Sequence, residues 1–374
     1  MITQKDTFSF KKWKKTPVAV ALSGGVDSAI AAWLLKSAGA EVHTFFMKNW
    51  EDDNTEAGCH DKNDLTAAAA AADVLGLDFE VLNFAAEYKA QVFTPFLADL
   101  RRGLTPNPDV LCNSEIKFGA FCRHAQKTGA AAVVTGHYAR ISQTAEGLRL
   151  LKGEDSAKDQ SYFLHRLTAA QLNLAVFPLG YKHKADVRET AKKIGLNNWD
   201  RKDSTGICFI GERPFAEFLR NYLPETPGKI QTPERKTIGE HIGLPFYTIG
   251  QRRGLKIGGL SDLSDNDGEA WFVIGKRIRD NVLEVAQGEN HPRLFADEVK
   301  IENAHWIAGK PPPTQWVYSA RLRHRQPPAS CTLATADEKT AHLVFAEAQR
   351  APAPGQYAVI YDGNTCLGGG VICQ

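Results

Sequence analysis

The chain has 374 residues with 43% hydrophobic and 24% charged side chains, the balance of a water-soluble globular protein too long for one ordinary core, so two or three domains are expected. A formal net charge of +2 supplies no global field for nucleic acid, so any such site must come from local clusters. No apolar run approaches the length of a membrane span, which excludes a membrane-spanning role. Met1 to Thr16 is polar and ends in Lys11-Lys-Trp-Lys-Lys15 with no following apolar signal region; it reads as a solvated basic leader, and a cytoplasmic location is expected. The 7 cysteines are odd in number and lack C-x-x-C pairs. That argues against a disulfide framework, and against a permanently bound metal or iron–sulfur cluster held by thiolates.

The first element is the apolar run from Val18 to Leu22, which breaks at Ser23-Gly24-Gly25 and continues as helical spacing from Ala29 to Lys36. Strand, tight glycine loop and helix together aim backbone N–H groups and a helix dipole at an anion. Gly24 and Gly25 let phosphate oxygens approach the main chain, and Ser23 and Ser28 add hydroxyl donors. Asp27 calls for a divalent cation, Mg²⁺, between its carboxylate and the phosphates. The loop is neither a Walker A sequence, whose lysine is missing, nor G-x-G-x-x-G.

Glu41–Met47 reads as a second strand, Asp64–Gly76 as an alanine-rich helix, Phe79–Phe84 as a third strand and Tyr88–Leu100 as a helix. Ile116–Gly129 is helical and Ala131–Gly136 a buried strand. This alternation predicts an α/β fold with a doubly wound, mostly parallel sheet, whose ligands lie beyond the strand C-termini. Met47 and Gly136 fall at that end; Met47 is either a core residue or an adenine contact.

Three loops in this half are unusually polar: Arg101–Asn113, Gly136–Arg140 and Gly153–Phe163. A further helix lies within Leu172–Gly195, and Lys202–Gly211 closes the region. From about Glu212 the composition shifts to short strands, prolines and a basic knot at Gly250-Gln-Arg-Arg-Gly-Leu-Lys256. Beyond about Val285 the pattern is all β, with a hairpin turn at Asp362-Gly363-Asn364, and predicts a small barrel or sandwich. The expected domains are residues 1–211, a small central domain at 212–284, and a C-terminal β-barrel at 285–374. A strand over Trp316–Arg325 would project Arg321, Arg323 and Arg325 from one face, as a phosphate ridge or a solvated face.

Cys112 and Cys208 lie in loops rich in turn residues, reactive or merely placed there, whereas Cys122 reads as core. Cys331, Cys366 and Cys373 read as packing residues of the β-rich tail, and Cys59-His60 as loop in preference to a metal pair. Asp109 is either a general acid/base or an Asx-type turn residue after Pro108.

Ser23-Gly-Gly-Val-Asp-Ser28 resembles the pyrophosphate-binding loop of the N-type ATP pyrophosphatases. Thr105-Pro-Asn-Pro-Asp-Val-Leu-Cys112-Asn, Thr135-Gly-His-Tyr138, Lys158-Asp-Gln-Ser-Tyr-Phe163 and Asp203-Ser-Thr-Gly-Ile-Cys-Phe-Ile-Gly-Glu212 closely resemble the tRNA-specific 2-thiouridylase family. So do Phe46-Met-Lys-Asn-Trp50, Thr248-Ile-Gly-Gln-Arg-Arg-Gly254 and Cys366-Leu-Gly-Gly-Gly370, so that the likeness covers nearly the whole chain after the leader.

The resemblance implies ATP bound at Ala21, Leu22, Ser23, Gly24, Gly25, Val26, Asp27, Ser28, Met47 and Gly136. It implies adenylation of the C2 oxygen of the tRNA wobble uridine (position 34), a persulfide on Cys208, and sulfur delivery helped by Cys112, with Asp109 near the target base. Asn107, Pro108, Asp109, His137, Lys158, Asp159, Gln160, Arg323, His324 and Gln356 would face tRNA; His324 departs from the tyrosine expected there. Implied partners are the tRNAs reading Lys, Glu and Gln codons, and a sulfur donor, either a cysteine desulfurase or a sulfur-relay protein. The competing expectations are an amide-forming synthetase of the same fold, which would need no cysteine pair, and a non-catalytic RNA-binding module.

Overall fold

The computed structural model describes residues 10–51, 59–202, 215–257 and 269–373. Cys208 and its flanking segment lie outside them. In chain order the first strands are β1 (Pro17–Ala21), β2 (Glu41–Lys48), β3 (Phe79–Asn83) and β4 (Ala132–Val134). A hairpin of β5 (Ala139–Thr144) and β6 (Gly147–Lys152) follows, then the short β7 (Ala175–Val176). The first sheet runs β3-β2-β1-β4-β7 and every pairing in it is parallel.

Side chains of β1 alternate between two cores. Val18 and Val20 pack with Ala29, Ile30 and Leu35 of the Val26–Ser37 helix, while Ala19 and Ala21 belong to the opposite core with Phe45, Tyr88 and Phe121. A strand buried on both faces is what an uninterrupted apolar run encodes in an α/β fold. The chain leaves β1 toward β2 and β3 on one side and returns to β4 on the other. The gap above β1 and β4 is therefore the topological switch point, where a crevice opens.

The central domain is a sheet of β8 (Gly228–Gln231), β9 (Thr237–His241), β10 (Trp271–Arg277) and β11 (Val282–Gln287), ordered β10-β11-β8-β9. Then come β12 (Phe295–Trp306), β13 (Val317–Arg321), β14 (Ala329–Ala336), β15 (Ala341–Arg350), β16 (Tyr357–Asp362) and β17 (Thr365–Ile372). These strands run β12-β15-β14-β13-β16-β17, and β17 pairs back onto β12, which closes a barrel and settles the choice between barrel and sandwich. Gly368 explains part of the glycine run in β17: its φ is +132°, and a Cβ there would sit 2.0 Å from the His305 carbonyl oxygen of β12.

The barrel sheet crosses the expected domain division. β6 pairs with β17 through Thr365–Leu151 and Cys366–Leu150, so the N-terminal half lends its hairpin to the barrel. The sequence reading placed no strands between Ala139 and Lys152.

The strand expected over Trp316–Arg325 ends at Arg321. Arg321 is buried, Arg323 half-buried and Arg325 exposed, so the three do not form one ridge. Alternation of side chains requires extended backbone, and beyond Arg321 the chain bends.

Candidate active site and nucleic-acid interface

The loop after β1 lies at the switch point. Gly25 is the N-cap of the Val26–Ser37 helix, in extended conformation and with no capping side chain, so the first helical N–H groups are not closed off by a cap. Gly24 has φ +77°, and a Cβ there would lie 2.5 Å from the Asp64 carbonyl oxygen. Gly136, just past β4, presses against the same loop: its Cβ would lie 2.7 Å from the Asp27 carbonyl carbon and the Ser28 nitrogen. Only a residue without a side chain lets these two strand ends approach so closely.

Ser28 Oγ accepts from the Ser23 N–H at 3.1 Å and donates to the Gly25 carbonyl at 3.0 Å. Its hydroxyl stitches the loop together, and its Oγ also lies 3.2 Å from the Oγ of the exposed Ser23. Ala21, Leu22 and Val26 are buried beneath the loop. Met47 is half-buried near the end of β2, in register with Leu82.

Asp27 has a different partner from the one its sequence position suggested. Lys184 Nζ lies 2.7 Å from Oδ2 and 2.8 Å from Oδ1, and the Tyr138 hydroxyl donates to Oδ1 at 2.8 Å. Both carboxylate oxygens are thus occupied by donors of this chain. Mg²⁺ on Asp27 does not fit the arrangement, because the lysine ammonium already balances the charge. Among the described residues no group of three or more His, Cys, Asp or Glu is placed to hold a metal ion.

Lys184 was not found from the sequence. It opens the Lys184–Lys193 helix, a position where the helix dipole disfavours a cation, and that anomaly was the available signal. Arg188, one turn along the same helix, donates to the Arg201 carbonyl at 3.1 Å. Arg201 and Asn198, also missed, donate to the Gly24 carbonyl at 3.1 and 2.9 Å.

Cys112 is not in a loop. It ends the short helix begun at Pro108 and opens a π-helical segment, Cys112–Ala120, with 0% of its surface exposed. Asn107 is the N-cap, accepting from the Asp109 N–H at 3.2 Å, so the turn role considered for Asp109 belongs to Asn107. Asp109 stands half-buried in the first helical turn, one turn before Cys112 and Asn113, and its carbonyl accepts from Asn113 Nδ2 at 3.0 Å. Pro108 is buried. The π-segment leaves carbonyls without their usual partners, and Gln171 Nε2 donates to two of them, Ser114 at 2.8 Å and Phe118 at 3.0 Å. Cys122 is core, as expected, and burial pushes its thiol up to about 12.

Several residues expected to face tRNA have their polar groups engaged inside the chain. His137 is buried against Phe118 and Phe177, with Thr135 Oγ1 at 2.7 Å from Nδ1. Burial first, and then the Lys117 charge, hold its imidazole well below the usual value and therefore neutral. Asp159 is buried, accepting from the Gly153 and Ser161 N–H groups, from the Ser161 hydroxyl, and from Arg321 Nη1 at 2.8 Å. Gln160 Oε1 accepts from the Tyr138 N–H at 3.0 Å.

His324 Nε2 lies 3.1 Å from the Asp159 carbonyl oxygen, and its ring packs on Phe163 at 4.3 Å between centroids. Arg323 Nη2 donates to the Ile249 and Ala351 carbonyls, both at 2.9 Å. Gln356 Nε2 donates to the Thr105 carbonyl at 2.8 Å. These contacts fasten the barrel to the central domain and to the loop before Cys112. Lys158 is half-buried, whereas Arg252, Arg253 and Lys256 of the basic knot are exposed. No helix among the described residues is long and apolar enough to cross a membrane.

The chain matches family models for a tRNA methyl transferase HUP domain over residues 16–212, a tRNA methyl transferase PRC-barrel domain over 216–287 and an aminomethyltransferase beta-barrel domain over 296–372. It is 53% identical over 358 residues to the tRNA-specific 2-thiouridylase MnmA of Methylobacillus flagellatus, covering 96% of this chain and 99% of that one. It is 54% identical over 356 residues to the enzyme of that name from Cupriavidus metallidurans, covering 95% of this chain and 98% of the relative. To the one from Bordetella avium it is 53% identical over 365 residues, covering 96% and 98%. With a parallel sheet carrying a glycine loop at its switch point, a central small sheet and a closed barrel, and with this identity over nearly its whole length, the chain belongs to the tRNA-specific 2-thiouridylase family.

Proposed function

We propose that this protein is a tRNA-uridine 2-sulfurtransferase that uses ATP to replace the C2 oxygen of the wobble uridine, position 34, with sulfur. The observation that carries this reading is the meeting of the Gly24–Gly25 loop and Gly136 at the sheet's switch point, joined to the family membership. ATP would lie with its phosphates on the helix N-terminus at Ser23–Ser28 and its base toward Met47. The uridine C2 oxygen attacks the α-phosphorus and pyrophosphate leaves, which converts a poor leaving oxygen into AMP.

Cys208 would carry the sulfur as a persulfide. In one route its terminal sulfur attacks C2, and the Cys112 thiolate then attacks Cys208 Sγ. In the other, Cys112 first releases the sulfur as sulfide, which attacks C2. In both, AMP departs with the oxygen, the new C–S bond forms, and the two cysteines end as a disulfide that an external thiol must reduce. Asp109, one helical turn from Cys112, would move a proton at the base. The burial of Cys112 means that its segment must shift before either route runs.

Phosphates of the tRNA would be met by the exposed Arg252, Arg253 and Lys256, and the anticodon loop by Asn107, Pro108 and Lys158. His137, Asp159, Gln160, Arg323, His324 and Gln356 would shape that surface from behind. The acceptors are the tRNAs reading Lys, Glu and Gln codons, and the donor is a cysteine desulfurase or a relay protein.

The test is one round of sulfur loading with tRNA and ATP and no reductant. Products are read by nucleoside and tryptic mass spectrometry. Wild type should yield 2-thiouridine, AMP and pyrophosphate, with a peptide pair joined through Cys112 and Cys208. Cys208→Ser should make no 2-thiouridine, and Cys112→Ser should release none either, leaving the sulfur on Cys208 as a free persulfide if Cys112 releases sulfide, or as a Cys208–S–S–C2 adduct to the tRNA if the persulfide attacks directly. Full thiolation by Cys112→Ser, or a persulfide on Cys122, would overturn the assignment of thiols.

A further inference from the structure

We infer that Asn198 and Arg201 are positioning residues that aim the Gly25 N–H at the pyrophosphate of ATP by holding the Gly24 carbonyl from behind. The inference rests on ATP occupying the loop as proposed above. The Gly24 C=O and the Gly25 N–H belong to one trans peptide and point in opposite directions. Asn198 Nδ2 and Arg201 Nη1 both donate to that carbonyl oxygen, at 2.9 and 3.1 Å. Two donors on the oxygen turn the N–H to the opposite side of the peptide plane and polarise it into a stronger donor.

Gly24 sits at φ +77°, which glycine adopts without strain, so its backbone alone does not fix the orientation of this peptide and the two donors select it. Asn198 is buried, and its Oδ1 has no hydrogen-bond partner among the described residues. Turned over, the amide would set oxygen against oxygen at Gly24, so the observed orientation is the one that lets it donate. Arg201 is held in turn by an ion pair with Asp64. Its carbonyl accepts from Arg188 of the same helix that sends Lys184 to Asp27. One helix thus braces the loop at both Gly24 and Asp27.

The experiment compares the binding of ATP, inorganic pyrophosphate and AMP to the full chain by calorimetry, for wild type, Asn198→Ala, Asn198→Asp, Arg201→Ala and Arg201→Lys. Asn198→Ala and Arg201→Ala should each weaken ATP and pyrophosphate about tenfold while leaving AMP and tRNA within about twofold. Asn198→Asp should be worse than Asn198→Ala, because it keeps the shape but turns a donor into an acceptor facing a carbonyl. Arg201→Lys, which keeps one donor, should recover part of the loss. A packing role alone would rank Asn198→Asp above Asn198→Ala and would weaken AMP and tRNA together with pyrophosphate; either result overturns the inference. Should Asn198→Ala fail to fold, the half-exposed Arg201 pair decides, and unchanged pyrophosphate binding by Arg201→Ala overturns the inference. If wild type itself binds neither ATP nor pyrophosphate, it is the reading of the loop that falls.

Discussion

Arg321 and Asp159 form a buried ion pair, Nη1 to Oδ2 at 2.8 Å, that joins the last residue of β13 to the loop after the β5–β6 hairpin. The carboxylate also takes two backbone N–H groups and a serine hydroxyl, so its charge is almost fully dispersed by donors. A barrel that closes on itself needs no help from another domain to satisfy its edges. The pair, together with the added hairpin, instead ties the barrel to the N-terminal half.

Arg321→Met should destabilise the folded chain by about 3–5 kcal/mol, because it strands a carboxylate that remains buried. The double variant Arg321→Met with Asp159→Asn should regain much of that loss. Equilibrium urea denaturation of the single and double variants checks this, and equal losses in both would show that the pair is not the coupling unit.

Asp27→Asn and Lys184→Met should each lower AMP formation by about 100-fold, the cost of removing one preorganised charge at a phosphate-transfer site. The melting temperature should stay within a few degrees of wild type for Lys184→Met, since the remaining Asp27 is partly exposed, and fall further for Asp27→Asn, which takes the carboxylate away from the buried Lys184 ammonium. Nucleotide products resolved by chromatography should be AMP and pyrophosphate. ADP as the main product would remove the loop assignment.

Phosphate contact should follow the basic knot and not the barrel arginines. Arg252→Ala and Arg253→Ala should each weaken tRNA binding and reduce the slope of log affinity against log salt by about one. Arg323→Ala, whose guanidinium is spent on the Ile249 and Ala351 carbonyls, should lower thermal stability and leave that slope unchanged. Filter binding across a salt series separates the two classes.

Stability should fall with acid through a buried histidine. His165 donates from Nδ1 to the Tyr162 carbonyl at 2.7 Å, and burial lowers its value from 6.5 to about 3. Between those values the unfolded chain takes up a proton that the folded chain refuses. Stability is therefore full above about pH 6.5 and declines toward pH 3, by about 1.4 kcal/mol per unit for this one group. His165→Phe should flatten the decline in a pH series of denaturation midpoints. An identical slope would assign the acid sensitivity to other groups.

The sequence by itself determined the parallel sheet, the glycine loop between its first strand and helix, and the β-rich tail, because each rests on a local rule. An apolar run, a pair of glycines and an Asp-Gly turn carry their meaning within a few residues. It also located the segments of Cys112, Asp109 and Gly136 by their wording.

Tertiary structure alone decided which charges meet. Nothing near Asp27 announces that Lys184, 157 positions away, will neutralise it. Nothing near Arg321 announces Asp159, 162 positions away. An ion pair needs only that two side chains end within a few ångströms, and sequence spacing does not encode that distance once the chain folds back. For the same reason a row of alternating arginines became a buried clamp, an interdomain strut and one exposed side chain. A buried charge takes whatever partner the packing brings to it, since the cost of burying it alone is too high to bear.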